Sequence, residues 1–414
     1  MQESSSALRT SLENLPLDIC RRILYSSDLE GLRALVHASP VYHRAYLTGR
    51  HSILTNSFWK TLDIVFADAY AVHQSSSDIF VKRRSRRRVT QFLKNYKSYR
   101  SPQQTSATRN LPTQEEVISM VRYHLRIVIP QLYNFTNWAL SNLCHQTQRG
   151  SYPRRALTRT EKSRLLRALY RFQLCCNLFG VSSLPPGCSF KKFNTSDIVA
   201  MFLRLFQPWE VEELCCIYAY AEDYYCVVFN IIDWHLDPSS PESDIISRAG
   251  VDLTDSATRK SLGKRTISRG LRLLSAVVPS MQDHSHLLSI IATNIPGHIG
   301  GFLDYESLDS TSLITRWNQK GFFRRSREQI RYTPIFFNGD QLFNHKKPNE
   351  LYPPFAWTWI WEGHYNNLYG YCLPSDIQRW GYIFWDKKRL EITQANTLLL
   401  NQWIAFEDYR SLFI

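Results

Sequence analysis

From residue 15 onward, apolar side chains recur mostly at intervals of three and four, the pattern of helices that bury one face. The first such stretch is Leu-Pro-Leu-Asp-Ile-Cys-Arg-Arg-Ile-Leu, residues 15–24. Pro16 suits a first helical turn, where its missing N–H costs nothing, and Ile19, Ile23 and Leu24 follow on one face. Asp28 is placed to cap a second helix, with Leu29, Leu32, Leu35 and Val36 at helical spacing. Ser39-Pro40 repeats the signature of a cap plus first-turn proline before a third helix carrying Tyr42, Ala45 and Tyr46. Three short helices within about 40 residues bury too little apolar surface for independent stability, so a partner is expected.

The same periodicity continues. Residues 58–97 read as helical, with Val89, Phe92, Leu93 and Tyr96 on one stripe, and 97–114 as a polar, proline-bearing connection. A helix through 115–129 is expected to stop near Pro130. Thr158 and Glu161 form a capping-box pair, opening a helix with Leu165, Leu166, Leu169, Phe172 and Cys176 on one face that ends at Gly180. Residues 182–187 read as a loop; Thr195 caps a helix that stops near Pro208, and 209–234 reads as one long buried helix. Residues 236–262 are loop-like, helices resume through 263–292, and a final capped helix over 374–390 would align Ile377, Trp380, Gly381, Phe384 and Trp385. Trp357, Trp359 and Trp361 alternate as side chains on a strand do. The expected fold is mainly α: an N-terminal three-helix module at 12–57 after a disordered tail at 1–11, then a larger irregular α-helical region at 58–414 with minor β near the C-terminus. No repeat of fixed period is present.

Composition narrows the class without naming a chemistry. At 44% hydrophobic and 21% charged, the 414 residues have ample material for a core. Residues 1–11 lack an apolar run, so no secretory leader is expected. The most apolar stretch, 214–234, holds Glu222 and Asp223 at its middle, which favours a buried helix over a membrane span. Nine irregularly spaced cysteines fit neither a zinc ribbon nor a disulfide framework, and point to buried thiols in a reducing cytoplasmic or nuclear compartment. His284 and His286 face apart on a helix and have no third ligand nearby, so no metal is expected. No GxSxG, Walker loop or HExxH occurs, and the glycine-rich 294–301 lacks phosphate-loop spacing. Neither catalytic residues nor a cofactor are expected.

The first module resembles an F-box of the fungal type. The residues that carry the likeness are LPLDICRRIL and DLEGLRALVHASPVYHRAYL. Segments around EKSRLLRALYRFQLCCNLFG, PWEVEELCCIYAY and RWGYIFWDKKRLE resemble filamentous-fungal F-box proteins. The F-box itself covers about a tenth of the chain. The resemblance implies docking on the Skp-type adaptor of a cullin-based ubiquitin ligase, while the rest of the chain recruits a protein substrate. Carried over position by position, Leu15 and Pro16 begin that contact. Ile19, Ile23, Leu32 and Leu35 are the next candidates, some of them serving instead to hold the three helices together. An F-box protein acting outside the ligase is an alternative.

Net charge is +14 and unevenly spread: between Ile79 and Gln114 stand ten Lys and Arg and no acid. Lys82, Arg83, Arg84, Arg86, Arg87 and Arg88 read as a nuclear-localisation signal, an acidic-partner patch, or the solvated face of a helix that Val81, Val89 and Phe92 continue. A nucleic-acid-binding protein using residues 82–109 is the rival reading. No nucleic-acid fold signature accompanies the run, so nucleic acid is not the expected partner, nor is a membrane. Residues 352–385 hold twelve aromatics; Trp357, Trp359 and Trp361 are candidates for a substrate surface or for core.

Overall fold

In the computed structural model the described residues are 12–82, 84–100, 112–147, 155–180, 193, 195–232, 266–294, 334–341, 352–366, 369–370 and 373–410. The expected tail at 1–11, the loops at 182–187 and 236–262, most of the connection at 97–114, the glycine-rich 295–301 and Arg83 lie outside them. The described chain is mainly α. It divides into two compact units, one formed by residues 1–66 with 110–123 and the other by 67–109 with 124–414.

The first unit begins with a 3-10 turn at Leu12–Asn14, followed by α1 (Leu17–Ser26), α2 (Leu29–Ala38), α3 (Pro40–Thr48) and α4 (Arg50–Leu62). The predicted caps are present. Asp28 accepts from Gly31 N–H at 2.8 Å, and Ser39 Oγ accepts from Val41 N–H at 3.2 Å with Pro40 opening α3. The core is built from Cys20, Leu24, Leu32, Tyr42, Ala45, Ile53 and Phe58, all buried. Leu29 N–H donates to Thr61 Oγ1 at 2.9 Å, and Trp59 meets Phe66 with centroids 4.5 Å apart and the rings tilted by 35°. The helical module therefore runs past residue 57 into α4, and a later helix, α8 (Gln114–Tyr123), packs on α4 and closes the unit.

The second unit centres on two long helices. α5 (Phe66–Ser75), α6 (Asp78–Lys82) and α7 (Arg86–Arg100) lead in. One π-helical turn at His124–Val128 precedes α9 (Ile129–Gln146), so Pro130 sits in a first turn and ends no helix. α10 (Arg159–Phe179) has the predicted capping box at Thr158 and Glu161. After α11 (Thr195–Met201) comes α12 (Pro208–Ile231), the expected long helix, packed on α10. Then follow α13 (Leu271–Val277), α14 (His284–Asn294), α15 (Phe355–Ile360), α16 (Ser375–Arg379), α17 (Lys387–Thr393) and α18 (Ala395–Arg410).

Two expectations fail here for local reasons. The helix expected over 374–390 breaks at Gly381, whose φ of +65° is left-handed backbone, so a 3-10 turn at Tyr382–Phe384 separates α16 from α17. A Cβ at that position would also lie 3.2 Å from the Phe135 ring. The minor β contribution is absent among the described residues except for one isolated bridge between Pro334 and His364. The alternating tryptophans belong to helix α15 and its end, because Pro354 sets the chain into a turn that Phe355 to Ile360 continue.

Candidate protein-docking surface

α1 has two sides. Cys20 and Leu24, one turn apart, are fully buried in the first unit. Pro16, Ile19 and Ile23, at i, i+3 and i+7, form a separate apolar stripe along its flank. Ile19 is 38% exposed, Pro16 is exposed, and Ile23 and Leu15 are half-buried. The approach to this stripe is pinned: Leu12 C=O accepts from Tyr42 O–H at 3.4 Å, and Leu15 C=O from the Cys20 thiol at 3.5 Å. The entry segment is thus tied to the core while its apolar side chains remain accessible. Leu35 on α2 is half-buried. Leu32 is only 4% exposed and belongs to the unit's own core, leaving it nothing to offer a partner.

The structure adds exposed apolar residues that helical periodicity passed over: Leu12, Leu17, Tyr25 and Leu47. Leu17 and Leu47 are the most telling, at 47% and 54% exposure. The available signal was an apolar residue lying outside the core-facing stripe of its own helix, and it is weak because single exposed leucines are ordinary.

The basic run splits into different roles. The helix does not continue through it, since α6 ends at Lys82 and α7 starts at Arg86. Arg84 turns inward and donates to the C=O groups of Asn177 at 2.9 Å and Gly180 at 2.8 Å, satisfying the C-terminal carbonyls of α10. Burial lowers its pKa to about 10. Arg86 pairs with Asp197 at 2.7 Å, while Arg87 and Arg88 are exposed. Nothing is described of the Lys82 side chain.

Among the tryptophans, Trp357 and Trp361 are buried, Trp359 is half-buried, and Trp361 meets Trp403 edge to face at 4.9 Å. The aromatic concentration is mostly core, and Trp359 alone of the three keeps substantial surface. No described group of three or more His, Cys, Asp or Glu could hold a metal ion, and no described helix is long and apolar enough to cross a membrane.

What sequence reading missed is a set of buried charges between α10 and α12. Arg164, Arg167 and Arg171 repeat at helical spacing on α10, all 2% exposed or less. Arg167 takes Glu213 through two N–H groups and Glu210 at 2.8 Å; Arg171 takes Glu210 at 3.0 Å and Asp68 at 3.3 Å. Burial alone would raise the Glu210 carboxyl, but Arg171, Arg167 and Arg100 outweigh it and hold it well below the usual range. Arg164 meets Asp386 at 3.0 Å and Asp340 at 3.3 Å, tying residues 340 and 386 to α10.

Glu212 differs from its neighbours. Among the described residues its carboxylate accepts only neutral donors, Gly370 N–H and Gln378 Nε2–H, each at 2.7 Å. With no cation contributing, burial pushes it up to about 7 against those two hydrogen bonds. The arginine–carboxylate pairs and the hydrogen bonds of Glu212 together tie α10, α12 and the segments carrying Asp340, Gly370, Gln378 and Asp386 to one another.

No family model matches the chain, and neither does any curated protein or solved structure.

Proposed function

We propose that the first unit is an F-box-type docking module that binds a Skp-type adaptor and, through it, a cullin, and that the chain serves as the substrate-recruiting subunit of a ubiquitin ligase. The observation that carries this reading is the two-sidedness of α1: Cys20 and Leu24 complete the core while Pro16 and Ile19 remain exposed on a pinned entry segment. It rests on that geometry and on the local pattern of residues 13–48, not on a match to a known family. Leu15, Pro16, Ile19 and Ile23 make the adaptor contact, with Leu35 at its margin. The contribution to catalysis is proximity: a substrate is held near the ubiquitin-carrying enzyme, and no bond-making group of this chain takes part. The setting is intracellular, where adaptor and cullin reside.

Affinity purification with mass spectrometry from host cells tests the assignment, comparing the intact chain with Ile19→Asp. Adaptor and cullin recovered with the intact chain and lost with the variant support it. Recovery of neither with the intact chain refutes it.

A further inference from the structure

α7 turns Val89, Leu93 and Tyr96 inward, and this fixes its opposite side. There lie Arg87, Arg88, Gln91, Lys94, Asn95 and Ser98, all exposed. Each is a cation or a polar hydrogen-bonding group; none is apolar or aromatic. An ordinary solvated helix face intersperses the two signs of charge. Here the chain has no Asp or Glu between Ile79 and Gln114, so no i, i+4 acid offsets the cations. Arg86 has Asp197, but Arg87, Arg88 and Lys94 pair with no acid among the described residues. Three consecutive arginines also fill the first turn, where the helix N–H groups already place partial positive charge. Charge of one sign has accumulated where the fold itself gains least from it, and an external anion would relieve it.

The make-up of the face selects the anion. Protein hot spots are enriched in Trp, Tyr and Arg, and this face offers arginines but no Trp or Tyr to anchor a protein partner. Single-stranded nucleic acid is held by stacking its bases on aromatic side chains, which are absent as well. Arg and Lys interleaved with Gln, Asn and Ser are the groups that contact phosphate oxygens along a duplex. The stretch from Arg87 to Ser98 is about 16 Å long at 1.5 Å per residue, enough to follow a few phosphates. We propose that the outward face of α7 is a sequence-independent contact surface for the phosphate backbone of duplex nucleic acid. Contacts to phosphate oxygens position a protein on a duplex without carrying sequence information. The sequence pattern left the whole run 82–109 as one basic patch; the fold narrows it by taking Arg84 and Arg86 into internal contacts and leaving Arg87, Arg88 and Lys94 exposed together. The inference is independent of adaptor docking, since α7 belongs to the second unit and Pro16 and Ile19 to the first.

Fluorescence anisotropy with the full chain and two labelled DNA duplexes of unrelated sequence, from 50 to 200 mM NaCl, tests it. Both duplexes should bind equally. The log of affinity should fall against log salt with a slope of about −3, from −0.9 for each of Arg87, Arg88 and Lys94, or about a fortyfold loss over the range. The double variant R87E/R88E should bind at least tenfold more weakly at 50 mM with an unchanged circular dichroism spectrum and a slope of about −1 or flatter. K94E, farther along the helix, should flatten the slope by about one. Absence of binding at 50 mM would overturn the proposal, as would wild-type affinity in both variants. Displacement of the duplex by polyglutamate as effective as by unlabelled duplex at equal charge would overturn it in favour of an acidic protein. Preference for a single strand, or for one duplex over the other by more than tenfold, would overturn it too.

Discussion

Glu212 offers a prediction whose size follows from its surroundings. Its carboxyl is buried between α12 and the segment carrying Gly370 and Gln378, with two neutral donors and no cation. The other ionisable groups near it, Glu213 and Cys216 on α12 and Tyr382 in the 3-10 turn, supply no positive charge to hold a carboxylate. Its pKa of about 7 in the folded chain stands against an ordinary 4.5. The folded state therefore binds a proton that the unfolded state has released between those values. Stability from this group is fully present below about pH 4.5, declines as pH rises, and is lost above about pH 7. A gap of about 2.5, at about 1.36 kcal/mol for each, makes the whole effect roughly 3 kcal/mol. Between pH 5 and 8.5 roughly 2.5 kcal/mol of it should be visible. Glu212→Gln keeps the shape and cannot ionise, so it should remove this decline. Urea melts of both proteins followed by tryptophan fluorescence suit the question, because ten of the eleven tryptophans lie in the second unit. Asp386, raised by burial to about 6, and His124, lowered by burial to about 3, titrate in both proteins and cancel in the difference. The variant should gain on the wild type by roughly 2–3 kcal/mol on going from pH 5 to pH 8.5. Parallel pH profiles would refute the claim that Glu212 is buried without a compensating charge.

Two further effects follow from the same unit. Arg167→Met strands the Glu213 carboxylate and should cost about 3–5 kcal/mol in urea unfolding, with part regained in the double variant carrying Glu213→Leu; a loss under about 1 kcal/mol would show that the pair is not buried as described. Gly381→Ala forces left-handed backbone on a residue with a Cβ and should cost about 1–2 kcal/mol, seen as a fall of a few degrees in the melting temperature; an unchanged melt would contradict the break between α16 and α17.

What was legible in the sequence was what local chemistry decides. Asp28, Ser39 with Pro40, and Thr158 with Glu161 mark helix starts because the orphan N–H groups of a first turn need those acceptors close in sequence. The long helix α12 was legible because 24 consecutive residues contain no glycine and proline only at the first position. What was not legible depended on partners distant in sequence. Arg164, Arg167 and Arg171 look like a solvated face until Glu210, Glu213 and Asp386 are brought against them. Their i, i+3, i+7 spacing, opposite an otherwise apolar helix with three buried glutamates, was the signal available. Periodicity also ran on across Gly381 and across Arg84 and Ser85, because apolar spacing alone cannot register a change in backbone direction. At the candidate docking surface the pattern placed Leu15, Pro16, Ile19 and Ile23 in the N-terminal helical module, yet the split between Leu32 inside and Ile19 outside needed the packed helices.

Binding of the purified full chain to the host's Skp-type adaptor, measured by isothermal titration calorimetry for wild type and Ile19→Asp, tests the central proposal most directly. Ile19 is already partly exposed, so the new carboxylate is hydrated in the free protein and is stripped of water only on docking. A cost of about 2–3 kcal/mol corresponds to a complex weaker by roughly 30- to 150-fold. The account predicts that loss together with an unchanged thermal melt of the variant. Equal affinities for the two proteins, or no binding by the wild type, would contradict it.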